Sequence, residues 1–236
     1  MSISDAHTPM QPGAAPVIAI DGPAGAGKST VARALARRLG YFLLDTGAIY
    51  RALALTADRS GVPFDDGDSL GSLAATLPIR FDEVGRVFLG DEDVSSAIRT
   101  PAMSQGASTV SAHPPVRGAL LDLQRTLAAR GRCVVEGRDI GTVVLPWAPL
   151  KIFLTASDEV RARRRYEELT ARGQTVDYSA TLADLRERDQ RDSTRAVAPL
   201  RQAEDAVLLD TSELSEEAVV DRMEALARAR FASELP

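Results

Sequence analysis

Eight residues, Gly22-Pro23-Ala24-Gly25-Ala26-Gly27-Lys28-Ser29, limit what this chain can fold into more than any others. They match G-x-x-x-x-G-K-[ST], and that match counts only between a strand and a helix. Both flanks are present: residues 17–21 form a short apolar run, and residues 30–39 read as a helix. Glycines let the backbone curl until several N–H groups converge on one anion. The first turn of the helix adds unpaired N–H groups and the positive end of its dipole. In such a loop Lys28 reaches the β- and γ-phosphates of a nucleoside triphosphate, and Ser29 offers its hydroxyl to the Mg²⁺ that bridges them.

A P-loop presupposes a parallel sheet, and the rest of the chain supplies one. Apolar runs at 16–21, 42–44, 132–136, 150–154 and 207–210 alternate with helical stretches. That alternation predicts an α/β three-layer sandwich with a five-stranded parallel sheet. Helices are expected at 28–39 (ended by Gly40), 48–60 (with Thr46 as N-cap), 69–76, 101–111, 114–130, 157–172, 179–195 and 215–231. Between 62 and 112 the texture changes. Residues 79–81 and 86–89 bracket Asp82-Glu83-Val84-Gly85, a β-hairpin signal, so 62–112 is expected to be an insert. The remainder, 16–61 and 113–236, would be the core domain, and residues 1–15 a mobile tail.

Composition excludes several function classes. A net charge of −5 argues against nucleic-acid binding by the surface as a whole. No run approaches 18 uninterrupted apolar residues, so no membrane span is expected, and the first residues lack signal-peptide order, which suggests a cytoplasmic protein. Cys133 is the only cysteine and lies in an apolar run, so it is expected to be buried. With two histidines, a His-based triad or metal site is not expected. The chain contains no asparagine, which removes the guanine-reading Asn-Lys-x-Asp of a GTPase. Only Lys28 and Lys151 are lysines, so basic character rests on arginine.

Three clusters carry the remaining chemistry. Asp45-Thr46-Gly47-Ala48-Ile49-Tyr50-Arg51 follows the second strand, at the sheet edge where ligands of such folds collect. Arg51 there is either a grip for a second phosphate or a solvated arginine. Glu136-Gly137-Arg138-Asp139 ends another strand, and either carboxylate could support Mg²⁺. Arginines crowd the stretch from Arg161 to Arg195, interleaved with acids as helix-surface ion pairs. Guanidinium groups also suit closure over a transferred phosphoryl group, because their planar fork can hold two oxygens.

These segments, with Arg188-Asp189-Gln190-Arg191-Asp192-Ser193-Thr194-Arg195, together resemble the bacterial cytidylate kinase family over about residues 17–231. The resemblance implies a nucleoside-monophosphate kinase fold, with 62–112 as the substrate-binding insert and a short helical LID at about 157–175. It implies Mg²⁺-dependent phosphoryl transfer from ATP to CMP or dCMP by a monomer, without nucleic-acid or membrane partners. By position it assigns Gly22, Pro23, Ala24, Gly25, Ala26, Gly27, Lys28, Ser29 and Thr30 to ATP, with Ser29 toward the metal. Thr46, Arg117 and Asp139 would face cytosine, with Tyr50 lining the pocket. Arg51, Arg138 and Arg195 would hold the CMP phosphate or the base beside it, and Ser108, Arg188 and Asp192 would reach the ribose. Lys28, Arg138, Arg195 and the LID residues Arg161 and Arg165 would act on the transferred phosphoryl group. Thr46 stands where serine is common and Glu136 where aspartate is common. Adenylate or shikimate kinase and a non-catalytic nucleotide sensor are the rival readings. The Gly137-Arg138-Asp139 turn and the intact Lys28, Ser29 and arginine set weigh against them.

Overall fold

The computed structural model describes residues 16–82 and 84–232. The tail assigned to 1–15 and Glu83 of the hairpin turn lie outside the described residues. The first strand, β1 (Val17–Asp21), is buried along its whole length. The P-loop leads into α1 (Lys28–Leu39), which ends on a left-handed Gly40 as expected. Next come β2 (Phe42–Asp45) and, with no intervening turn, α2 (Thr46–Ser60). Thr46 is therefore not the N-cap: the Asp45 carboxylate caps the helix, accepting from the Ala48 N–H at 2.9 Å. Asp45 lies one residue nearer the strand, where its β-region backbone aims the side chain at the helix amides.

The following stretch contains α3 (Gly67–Ala75), β3 (Ile79–Phe81), β4 (Val87–Leu89), β5 (Glu92–Asp93), a 3₁₀ turn Ala97–Arg99 and α4 (Pro101–Val110). β3, β4 and β5 make a separate antiparallel sheet. Its hairpin is the one the sequence signals; the two-residue β5 has no such signal. After α5 (Pro114–Ala128) the chain runs through β6 (Cys133–Glu136), a wide π-type turn Ile140–Val144, and β7 (Leu150–Thr155). Two long helices, α6 (Asp158–Ala171) and α7 (Tyr178–Thr194), precede β8 (Val207–Asp210) and α8 (Glu216–Arg230).

The main sheet has the order β2-β6-β1-β7-β8, all parallel. One apolar layer packs Leu35, Met223 and their neighbours from α1 and α8 against one face, and a second packs Leu53, Val116 and Leu120 from α2 and α5 against the other. Leu35 and Leu53 are fully buried, so truncating either to Ala should cost about 2–5 kcal/mol. Cys133 is buried between strands, and burial pushes its thiol up to about 12, so it is inert at neutral pH. No helix among the described residues is long and apolar enough to cross a membrane.

The register fixes the site. Glu136 pairs in register with Ile20 on one side and Asp45 on the other. The carboxyl ends of β2 and β6 therefore finish level, with Asp45 beside Glu136, while β1, the central strand of the five, runs one residue further to Asp21 before the P-loop begins.

Candidate active site

Above those strand ends lies an open cleft of about 1420 Å³, lined by the P-loop, Arg51, Arg117, Glu136 to Asp139, Arg165, Arg188, Asp192 and Arg195. The glycine that opens the P-loop is required by the strand packed beside it. Gly22 adopts φ +148°, and a Cβ there would sit 2.0 Å from the Leu154 carbonyl oxygen, so no other residue fits the approach to β7. Lys28 is buried, not solvated, and its Nζ donates to the Pro23 carbonyl at 2.7 Å. Burial, then the neighbouring Arg138, hold its ammonium well below the usual lysine range. The Ser29 hydroxyl donates to Glu136 Oε2 at 3.0 Å. Burial, then nearby Asp45, push the Glu136 carboxyl up to about 7.

The Ser29–Glu136 pair fits a hard divalent cation: it offers oxygen donors, and Glu136 Oε1 is buried without a hydrogen-bond partner. No cluster of three or more His, Cys, Asp or Glu suited to a metal occurs among the described residues. A cation here would take its other ligands from phosphates and water, as Mg²⁺ prefers. Of the two acids left open by the sequence, Glu136 is the one beside Ser29. The Asp139 carboxylate is committed elsewhere.

That commitment builds the second half of the cleft. Asp139 accepts from a buried Arg117, which also donates to the Ser111 carbonyl at 3.4 Å, and from Arg195 at 3.3 Å. Arg195 is anchored by donation to the Ala198 carbonyl at 2.7 Å. The Arg117 guanidinium lies 5.8 Å from the Tyr50 ring, within cation–π range. Thr46 turns its hydroxyl away from its helix and donates to the Glu136 carbonyl at 2.7 Å. A Cβ on Gly137 would meet Ile140 Cδ1 at 2.6 Å and Thr46 Oγ1 at 2.7 Å, so a larger residue there would displace both side chains. Arg51 donates to Asp45 at 2.6 Å, and Arg138 donates to Asp192 at 3.0 Å. Arg188 Nε stands 3.8 Å from Asp192, too far for a hydrogen bond, and lacks a partner. Burial, then Arg138, lower the Arg188 guanidinium to about 10. These are cations held close together with an incomplete set of acids, an arrangement that an incoming polyanion would complete.

Two expected site residues are corrected. Arg161 does not line the cleft. Its guanidinium is buried, donating to the Ala156 carbonyl at 3.0 Å, to the Ala24 carbonyl at 2.9 Å, and to Asp158 and Asp189. With its donors so engaged, it braces the P-loop from α6. Ser108 is buried too, and its hydroxyl accepts from Arg191 at 2.9 Å instead of facing the cleft. Arg165 does line the cleft, paired on its own helix with Glu168 at 2.9 Å. Arg172 closes the far rim, donating to the Arg99 carbonyl at 3.2 Å.

Sequence reasoning passed over Asp45 and Asp189. Asp45 pairs with Arg51 six residues on, outside the i, i+3 and i, i+4 spacings that pair side chains along a helix, so spacing alone does not flag it. Asp189 accepts from the Ala24 N–H at 3.3 Å across 165 residues, and nothing in the sequence signals that.

The profile of the family described as cytidylate kinase matches residues 18–229 of this chain. A cytidylate kinase of Pseudomonas aeruginosa strain PAO1 is 55% identical over 214 residues, 89% of this chain and 93% of that protein. A cytidylate kinase of Mycobacterium leprae is 53% identical over 215 residues, 91% of this chain and 96% of that protein. A crystal structure of an uncharacterized protein from Eubacterium ventriosum superposes with TM-score 0.51 at 15% identity, covering 91% of this chain and 99% of that one, a likeness of fold alone.

Proposed function

Because this chain belongs to the cytidylate kinase family, we propose that its cleft transfers the γ-phosphoryl group of ATP directly to the 5′-phosphate of CMP or dCMP, giving ADP and CDP or dCDP. One observation carries the reading. A loop of backbone amides with Lys28 shares one cleft with a second, arginine-built anion site containing a carboxylate flanked by two guanidiniums. No protein nucleophile is needed, since a phosphate oxygen of the acceptor attacks the γ-phosphorus in line. Alignment, charge neutralisation and exclusion of water are what this chain contributes.

The P-loop amides, Lys28, Ser29 and Thr30 would hold ATP. Ser29 and Glu136 would hold Mg²⁺, which would supply charge neutralisation to the triphosphate when bound. Arg51, Arg138 and Arg188 would grip the CMP phosphate, and Asp192 the sugar. Arg165 and Arg195 would spread charge on the moving phosphoryl group. Cytosine offers a 4-amino donor and an N3 acceptor; a carboxylate only accepts and a guanidinium only donates. Asp139 therefore suits the amino group and Arg117 the N3/O2 edge, with Tyr50 beneath and Thr46 supporting. These two complementary groups pair with each other, and the base would exchange that pair for two contacts of its own. Uracil reverses both polarities and would leave buried groups unpaired, which can cost ~10⁴–10⁵ in discrimination.

Residues 62–112 would serve as the acceptor-nucleotide insert and about 157–175 as the LID, with the Arg172–Arg99 contact linking the two. The enzyme would act as a cytoplasmic monomer. The test is turnover with ATP and a panel of nucleoside monophosphates, alongside a sedimentation measurement. CMP and dCMP are expected as acceptors; equal turnover of UMP or AMP would overturn the assignment.

A further inference from the structure

We propose that Asp21 is a positioning residue for base recognition: it holds the turn at 139–141 so that the Asp139 carboxylate is free to face the nucleotide. The proposal rests on the reading of Asp139 as the acceptor of the cytosine amino group.

Asp21 ends β1, immediately before the P-loop, and is 5% exposed. Its Oδ1 accepts from the Ile140 N–H at 2.8 Å and its Oδ2 from the Gly141 N–H at 2.7 Å. Those amides open the wide turn Ile140–Val144. An aspartate preceding such a turn ordinarily caps it with its own side chain. Asp139 occupies that place and makes no cap. Its carboxylate is turned instead toward Arg117 and Arg195. A carboxylate from another strand thus satisfies the Gly141 amide that an Asp139 cap would serve, together with the Ile140 amide that such a cap does not reach.

The fit is tight. A Cβ on Gly141 would lie 3.3 Å from Asp21 Oδ2 and 3.1 Å from the Lys151 stem. The charged groups facing Asp21 are Asp139, which raises its pKa, and Lys28, which lowers it. Burial pushes the carboxyl up to about 6 against the pull of both amides, so at neutral pH it is ionised and both oxygens accept. Asparagine cannot replace it, because one of its two arms donates and would meet an N–H. Asp21 also joins the two halves of the cleft: one residue of main chain separates it from Pro23, and one side chain separates it from the base-reading turn.

The experiment is a double-mutant cycle of Asp21→Asn and Asp139→Ala, reading KM for CMP and for ATP and the CMP/UMP ratio of kcat/KM. Asp21→Asn is expected to raise KM for CMP by ~10-fold or more, the usual consequence of losing a hydrogen bond to a charged group, and to narrow the CMP/UMP ratio. KM for ATP should stay within about threefold, and the effect on the ratio should nearly vanish when Asp139→Ala is already present, since residues acting as a unit are not additive. An unchanged ratio, equal rises in both KM values, or additive effects would overturn the proposal, because those are what a general structural role produces. An unchanged ratio in Asp139→Ala alone would overturn the base-reading assignment, and the positioning role with it. Asp21→Ser, smaller and able to accept from one amide, is carried alongside in case the asparagine variant does not fold; the same pattern is expected of it and the same results would overturn the proposal.

Discussion

The proposed phosphate end of the cleft and its proposed nucleoside end are built by different means. At the phosphate end one contiguous loop joins β1 to α1, and its Ser29 hydroxyl donates to Glu136. At the nucleoside end every contact is a side chain. Arg51 comes from α2, Arg117 from α5, Arg138 and Asp139 from the turn after β6, and Arg188, Asp192 and Arg195 from α7 and its end. A backbone nest is complete whenever its strand and helix are folded. A side-chain nest must be assembled from four distant segments, whose charges pair with one another. On the proposed assignment the first end would deliver affinity for any triphosphate and the second would deliver choice, because exchanging internal ion pairs for a ligand rewards only a ligand of matching polarity.

Substitutions test that division, beginning with the largest effect. Lys28→Ala should cut kcat by ~10³–10⁵, the range of charge-stabilising groups in phosphoryl transfer, with little change in the CMP/UMP ratio. A variant retaining a tenth of the turnover would break the comparison at its phosphate end. Arg117→Met should do the reverse, narrowing the CMP/UMP ratio of kcat/KM by ~10²-fold or more by removing a base-facing donor. Leaving Asp139 with only Arg195 should also destabilise the ligand-free protein, by about 3–5 kcal/mol for a broken buried pair, measurable by urea titration. Should thermodynamic loss appear with no change of ratio, Arg117 serves the fold and not the choice.

Asp192→Ala should weaken the affected substrate about tenfold. If the carboxylate holds the 3′-hydroxyl, CMP and dCMP suffer together; if the 2′-hydroxyl, CMP alone. Steady-state kinetics with both substrates separates the cases, and unchanged values for both would remove Asp192 from the sugar. Arg161 and Arg165 sharpen the comparison further, since they lie one helical turn apart. Arg165→Ala should lower kcat with thermal midpoint unaltered. Arg161→Ala should lower the midpoint by several degrees, about 1–3 kcal/mol for buried acceptors left unsatisfied, because Asp189 and the Ala24 carbonyl lose their donor.

The smallest effect is on stability against pH. Glu136 is pushed from 4.5 to about 7 in the fold, so it keeps its proton where the unfolded chain has lost it. Its contribution is fully present below pH 4.5 and is lost as the pH rises through 7. Relative to Glu136→Gln, the ligand-free wild type should lose about 1–3 kcal/mol between pH 4.5 and 7.5. Denaturant midpoints of both proteins across that range give the difference. A flat difference would show that Glu136 is ionised throughout.

What the sequence determined is whatever depends on neighbours along the chain. The G-x-x-x-x-G-K-S spacing between an apolar run and a helical stretch was enough for the P-loop, because adjacent residues make every amide it uses. The run 132–136 was legible as a strand because a strand buried on both faces reads as continuously apolar, whereas 207–210 carries the same apolar signal on an edge strand with three of its four residues exposed. The insert hairpin followed from its turn residues. Tertiary structure alone decided which charged groups face the cleft. Arg161 and Arg165 read alike on one helix, yet Arg161 is drawn under the P-loop by Asp189 while Arg165 is left at the opening. Glu136 and Asp139 read alike as candidate metal supports, until register set Glu136 beside Asp45 and two distant arginines claimed Asp139. Asp21, apparently the tail of a strand, acquires its amides from residues 119 and 120 positions away. An ion's partner is chosen by distance in space and by the loss of water on burial, and neither quantity is written in the order of residues along a chain.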